Sequence, residues 1–355
     1  MRNAGLDILR FVALVLVLVR HLEPPPDGGG ALLQTLIRGG WVGVDIFFVL
    51  SGFLVSGLLF REYRQHQRVD IKRFLIRRAL KIYPSFYLML FVTLVVMLLR
   101  GQPVEPAKLL GELLFLQNYL GALWPPTWSL AVEEHFYILI AVVFYRFVQS
   151  RPGHTDPFSR VPAMFLTLIL VCLGFRLLNL VIWDEYTNRR FLFGTHLRMD
   201  SLMCGVFLSY LWHFHGLEGW VRRWPGWLLG VVGAAAFIPA FIYPMQEYPL
   251  LSVLGVMLFY VGGGFLVLAF VRIEKAPGLL LRGIAALGAA SYSIYLWHMP
   301  VHRWGGLVMV KILGVESHAI LAVAYLAGSF AWGYIMNKAL EWPMLRLRDR
   351  LYPSR

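Results

Sequence analysis

Apolar stretches of about 20 residues, separated by short polar or basic segments, recur along the chain, and each is long enough to cross about 30 Å of hydrocarbon as a helix. They fall near residues 6–22, 39–60, 80–99, 127–147, 161–183, 198–213, 226–243, 250–271, 284–302 and 317–340. The pattern predicts an all-α polytopic transmembrane bundle of about ten spans over residues 1–345, followed by a basic cytoplasmic tail at 346–355. The stretch from Leu109 to Tyr119 reads as a re-entrant or interfacial piece. No internal repeat, low-complexity tract or long linker interrupts the series.

Composition removes the soluble class, because 58% of residues are hydrophobic and only 15% charged, against about 25% charged in soluble domains. A net charge of +13 invites a nucleic-acid reading, but the basic residues cluster in short loops between spans, where membrane topology accounts for them. With the N-terminus inside, the inner segments hold 22 of the 33 Lys and Arg and the outer segments 8. Both termini are therefore expected on the cytoplasmic side. Cys172 and Cys204 both fall in predicted spans, so neither a disulfide framework nor a metal site of ordinary spacing is expected. Arg10 interrupts the first apolar run, and His21-Leu22-Glu23 before Pro24-Pro25-Pro26 is no small-residue cleavage site. The run is therefore read as a span, not a signal peptide.

Ionisable groups inside a lipid-spanning helix cost about 2.5–3.5 kcal/mol each on insertion scales and so mark candidate functional sites. Arg10 and His21 are eleven residues apart, about three full turns, and share a helix face roughly 16 Å apart along the axis. That separation matches an extended pantetheine arm; snorkelling of both residues to opposite interfaces is the competing reading. The basic run Arg61, Arg64, Arg68, Lys72, Arg73, Arg77, Arg78 and Lys81 suits the phosphates of coenzyme A, and equally suits topology and anionic lipid. Arg10, Arg77, Arg78 and Lys81 are the candidate cofactor contacts. Asp45, Glu133 and Glu134 lie about 9 Å below the outer surface, near the level His21 reaches. A carboxylate there orients an imidazole as general base, while one of the two glutamates is open to pairing with Arg176 or Arg198. Ser291, Tyr295 and His298 follow i, i+4, i+7 spacing and read first as interhelical glue. Trp41, Trp124 and Trp128 read first as interfacial anchors.

The chain resembles acyltransferase family 3, the polytopic membrane O-acyltransferases that modify sugars and bacterial surface polysaccharides. Seven segments carry the resemblance in order: LDILRFVALVLVLVRH, GVDIFFVLSGFL, FLIRRALKIYPSFY, TWSLAVEEHFY, LRMDSLMCG, GAASYSIYLWHMP and EWP. It implies that Arg10 and His21, as the basic residue and histidine of the family's first-helix pattern, are both required. It also implies that the family's paired-arginine motif falls on Arg78 and Lys81, where lysine keeps the charge and loses the bidentate fork. Glu133, Glu134 and Asp45 sit within family motifs as well. The implied reaction moves an acyl group, acetyl by family frequency, from cytoplasmic acyl-coenzyme A to a hydroxyl of a carbohydrate or lipid-linked sugar. It uses no metal or nucleic acid, and its place is the bacterial cytoplasmic membrane. Some members carry a further extracytoplasmic hydrolase-like domain; this sequence ends soon after Glu341, so direct transfer or hand-over to a separate protein is expected. The rival is a transporter or flippase using the same charges as an ion relay. Against it stand the missing repeats and the missing pair of Gly/Pro-broken helices.

Overall fold

The structure, a computed structural model, describes residues 3–25 and 28–353. Arg2 and Arg355, counted above for orientation, and Pro26 lie outside the described residues. In chain order the α-helices are α1 (Ala4–Arg20), α2 (Gly30–Gly39), α3 (Gly43–His66), α4 (Ile71–Leu99), α5 (Pro106–Leu114), α6 (Gln117–Leu120), α7 (Trp128–Ser150), α8 (Val161–Ile182) and α9 (Met199–Phe214). They continue as α10 (Leu217–Arg223), α11 (Gly226–Ala235), α12 (Ile238–Ile242), α13 (Leu254–Phe270), α14 (Gly278–Ala289), α15 (Ser291–Pro300), α16 (Gly306–Lys311), α17 (His318–Met336) and α18 (Trp342–Leu351). No strand occurs among the described residues, and the chain is an all-α, multi-pass membrane protein.

Each of the ten apolar segments falls on helix, but fewer helices are long enough to cross a membrane. Five helical runs, 30–66, 71–99, 125–150, 161–182 and 318–351, meet length and hydropathy together, and α14 with the run Ser291–Lys311 makes a sixth if that bent pair is one span. Helices α1, α9 and α13 have 17, 16 and 17 residues. The expected span 226–243 divides into α11 and α12, with Pro239 in the first turn of α12. The expected span 284–302 is bent by 66° between α14 and α15, so among the described residues it is a broken helix pair where none was expected.

A second correction concerns the basic run. It is not a loop: α3 continues to His66, Gln67 closes it in the left-handed region, and Asp70 accepts a hydrogen bond from the Arg73 amide at 3.0 Å to start α4. Helical spacing therefore decides which cations point inward.

Helix α1 sits in the centre, packed by α3, α13, α14 and α15, and its buried stripe Leu6, Leu9, Ala13, Leu14, Val17 and Leu18 follows the helical repeat. Asn3 caps it through the Leu6 amide at 3.0 Å. The extensive α3–α9 contact depends on two glycines, because a Cβ on Gly52 would lie 1.9 Å from the Leu202 carbonyl oxygen and one on Gly205 2.1 Å from that of Val49. Small residues let membrane helices approach this closely. In contrast, only 11% of the apolar window of α8 is buried, so that helix faces lipid.

Between α4 and α7, the fully buried Glu112 ties the incoming loop. One carboxylate oxygen accepts from the Leu123 amide at 3.0 Å, the Trp124 amide at 3.5 Å and the Thr127 hydroxyl at 3.0 Å. Burial pushes this carboxyl up to about 7, with the three donors pulling the other way. Glu112→Ala removes the acceptor and is expected to cost about 2–4 kcal/mol, since buried donors left unpaired cost about 1–3 kcal/mol each. Below about pH 4.5, where Glu112 is protonated folded and unfolded, Glu112→Gln keeps an acceptor oxygen and should stay within about 1 kcal/mol of wild type. Because the folded state holds the proton more tightly, the Glu112 contribution falls as pH rises from the ordinary 4.5 to about 7 and is flat above. Thermal unfolding in detergent across that range should show this slope in wild type and lack it in Glu112→Gln; an identical slope in both would contradict the assignment.

Candidate active site

Two neighbouring cavities lie inside the bundle. The first, about 110 Å³, is lined by Arg10 of α1, Arg78 and Lys81 of α4, Glu133, Glu134 and Tyr137 of α7, Ser51 of α3, and Ser291 and Tyr292 at the α14–α15 bend. The second, about 550 Å³, is lined by His21, Arg20, Arg38, Trp41, Trp128 and Arg198, among others. Val44 and Tyr295 line both. Arg10 therefore opens on one cavity and His21 on the other, along one uninterrupted helix.

In the first cavity Arg10 Nη1 lies 2.5 Å from Asp7 Oδ1. The Arg78 guanidinium sits 4.9 Å from the centre of the Tyr137 ring and 5.9 Å from that of Phe74. Tyr137 donates its hydroxyl to Glu133 Oε2 at 2.8 Å and also hydrogen-bonds Ser51 Oγ. Tyr83 donates to Glu134 Oε2 at 3.1 Å, and Glu134 Oε1 is buried with no partner among the described residues. Arg78 and Lys81, three residues apart, share the inward face of α4. Arg77, about 100° away around the helix, turns outward and does not line the cavity. Its guanidinium binds Asp349 at 3.0 Å and the Tyr352 carbonyl, tying α18 to α4. Three of the four candidate cations are thus brought together and the fourth is not.

The acids depart from expectation. Glu133 and Glu134 line the cavity of the cations and are absent from the lining of the His21 cavity. Asp45 is fully buried and paired with Arg198 at 2.5 Å, next to a second buried pair, Arg176 with Asp200 at 2.6 Å. Arg176 also donates from Nε and Nη2 to the Leu197 carbonyl at 3.0 and 2.6 Å. The arginine pairs foreseen for a glutamate therefore belong to the two aspartates, and Asp45 does not contact His21.

What orients His21 is the backbone. Its Nδ1 lies 2.8 Å from the Val17 carbonyl oxygen, so Nδ1 carries the proton and donates, leaving the Nε2 lone pair free. That is the tautomer a general base requires. The His298 ring stands edge-on to it with centroids 5.0 Å apart; its Nδ1 hydrogen-bonds the Tyr295 carbonyl, and its buried Nε2 has no partner among the described residues.

Tyr295 acts as the expected glue, donating to the Pro126 carbonyl at 2.7 Å and meeting Ser129 Oγ at 2.7 Å. Ser291 instead lines the first cavity. Of the three tryptophans read as interfacial anchors, Trp124 and Trp128 are buried: Trp124 donates to Thr93 Oγ1 at 2.9 Å and Trp128 stacks on Phe193 at 4.6 Å. Tyr137, Ser51, Arg20 and Arg38 were not foreseen as site residues. Tyr137 was readable, being four residues beyond Glu133 on the same helix face.

Comparison with known proteins places this geometry in context. The profile of a family described as an acyltransferase domain matches residues 3–338. The peptidoglycan O-acetyltransferase OatA of Listeria monocytogenes is 27% identical over 330 residues, which is 84% of this chain and 49% of the relative. The O-acetyltransferase OatA of Staphylococcus aureus is 27% identical over 332 residues, again 84% of this chain and 50% of the relative. The chain thus spans about half the length of the curated relatives it matches. No solved structure matches it.

Proposed function

Since this chain belongs to the acyltransferase-domain family, with nearly all of its length matched, we propose that it moves an acetyl group from acetyl-coenzyme A to a hydroxyl of a carbohydrate acceptor across a bacterial cytoplasmic membrane. The observation that carries this reading is the pair of cavities that share Val44 and Tyr295 in their linings, one gathering Arg10, Arg78 and Lys81 beside Glu133 and Glu134 and the other holding His21. Coenzyme A is a polyanion whose long pantetheine arm ends in the reactive thioester. Its phosphates sit among the three cations, and the arm runs between Val44 and Tyr295 toward His21. The lysine and arginine asymmetry supports a cytoplasmic position for both termini and for the cavity of Arg10, Arg78 and Lys81, and an outer position for the His21 cavity. The shorter helices complete the set of about ten crossings. Relatives named as acting on peptidoglycan favour a cell-wall or other surface glycan as acceptor.

The chemistry balances with these residues alone. The acceptor hydroxyl gives its proton to His21 Nε2 as its oxygen bonds the acyl carbon. The C–S bond then breaks, and the proton passes from His21 to the departing thiolate, which leaves as the thiol. Among the described residues the transporter reading gains the bent α14–α15 pair and the shorter broken segment α11–α12, without the internal repeat that would relate such breaks.

Membranes containing the protein, given acetyl-coenzyme A with a radiolabelled acetyl group and fractionated into protein, lipid and glycan, test the reading. Label in the glycan or lipid fraction, absent from control membranes, is expected. No label with folded protein and glycan acceptors supplied would overturn it. Arg78→Gln should raise KM for acetyl-coenzyme A about 10- to 100-fold with a smaller change in kcat, as loss of a charge-assisted phosphate contact predicts. An unchanged KM would remove Arg78 from the donor site.

A further inference from the structure

The cavity around His21 carries more positive charge than a neutral sugar needs. Its lining includes no Asp or Glu among the described residues, yet contains three arginines. Arg198 is neutralised by Asp45. The other two are not: among the described residues Arg20 hydrogen-bonds only the Ile37 carbonyl, at 3.3 Å, and Arg38 only the Phe241 and Ile242 carbonyls, at 3.4 and 2.7 Å. Both are partly buried, where a charge without a counter-ion is costly. Each anchors through Nη1 to the carbonyl end of a helix, α2 for Arg20 and α12 for Arg38, so the heads are held in place while Nε and Nη2 have no hydrogen-bond partner among the described residues. Beside them stand Trp41 and the amides of Gln34 and Asn188, which are groups that stack on sugar rings and bind their hydroxyls. The cavity volume of about 550 Å³ lies within the roughly 300–1,000 Å³ usual for small-molecule sites.

We propose that this cavity is a subsite for an anionic glycan, in which Arg20 and Arg38 grip a carboxylate or phosphate of the acceptor while Trp41 packs on the ring, presenting a nearby hydroxyl to His21. The proposal rests on the acyl-transfer reading for the role of the bound glycan, but not for its binding. A guanidinium matches a two-oxygen anion in geometry as well as charge. Arg20, Arg38 and His21 line one cavity, so the anchored anion fixes the distance from charged group to acylated hydroxyl. The cavity thereby selects both the acceptor class and the position acylated.

Calorimetric binding to the purified full-length protein in lipid nanodiscs tests this without any transfer step. The probes are a tetrasaccharide of alternating N-acetylglucosamine and glucuronic acid, a neutral tetrasaccharide of N-acetylglucosamine, and polyprenyl-diphosphate-linked N-acetylglucosamine. An anionic probe should bind at least about 10-fold tighter than the neutral one, and Arg38→Gln should bring that ratio close to one, while Arg38→Lys retains part of it. Preference for the glucuronate probe identifies a sugar carboxylate, and preference for the diphosphate probe a lipid-linked phosphate. Equal affinities for all three probes, no binding of any of them, or a preference indifferent to both Arg20→Gln and Arg38→Gln, would overturn the proposal. Arginine-dependent binding without His21-dependent acetyl transfer to any probe would instead overturn the acyltransferase reading and leave the anion subsite standing.

Discussion

His21→Ala should lower acetyl transfer by about 10²- to 10⁴-fold, the range expected for loss of a general base, while acetyl-coenzyme A still binds. The two effects separate because the histidine and the cations line different cavities, which share Val44 and Tyr295 in their linings. Loss of the imidazole removes the lone pair that the Val17 carbonyl holds in readiness and leaves Arg10, Arg78 and Lys81 untouched. Transfer of radiolabel and donor binding by calorimetry, on the same preparation, are the measurements. Activity within about threefold of wild type would take His21 out of the mechanism. Loss of donor binding together with transfer would show that the cavities are not functionally separate.

Asp45→Ala should destabilise the protein by about 3–5 kcal/mol, because it strands the Arg198 charge in a site where both partners are almost wholly buried. Replacing both partners, with Asp45→Leu and Arg198→Met, should recover most of that loss, since apolar side chains of similar size replace a buried ion pair at little cost. Thermal unfolding of the two singles and the double measures the coupling. A single variant as stable as wild type would contradict the buried pair. Activity of the stable double variant answers the separate question of a chemical role: retained activity makes Asp45 an anchor for α3 against the start of α9, and lost activity makes it more.

Much of the fold was legible in the hydrophobic pattern, and the reason is physical. Lipid demands apolar runs and satisfied backbones, so helix positions are written plainly into the chain. The pairing of Arg10 with His21 on one rod was legible for the same reason, since a single unbroken helix needs only its repeat. What was not legible depends on which helices are neighbours. Asp45 finds its partner 153 residues away at Arg198, and nothing local to either residue names the other. The chain gives the depth of Glu133 and Glu134, and depth does not say toward which neighbour a side chain turns. The cavity of Arg10, Arg78 and Lys81 reaches the α14–α15 bend and takes in both acids together with Ser291 and Tyr292. Arg77 and Arg78 are adjacent in the chain and point to different neighbours, one to Asp349 and the other to the Tyr137 ring. Which of the two faced inward depended on where α4 begins, and Asp70 caps it well before the apolar run that marks the span.

The central claim is that donor and acceptor meet from opposite sides at His21. Its most direct test is transfer in sealed vesicles of defined sidedness with radiolabelled acetyl-coenzyme A outside. Inverted vesicles, with the cytoplasmic face outward, should transfer label to acceptor enclosed in the lumen, in a His21-dependent manner, and right-side-out vesicles should not use external donor. Equal use of external donor by both orientations, or label appearing only on acceptor supplied on the same side as the donor, would contradict the account.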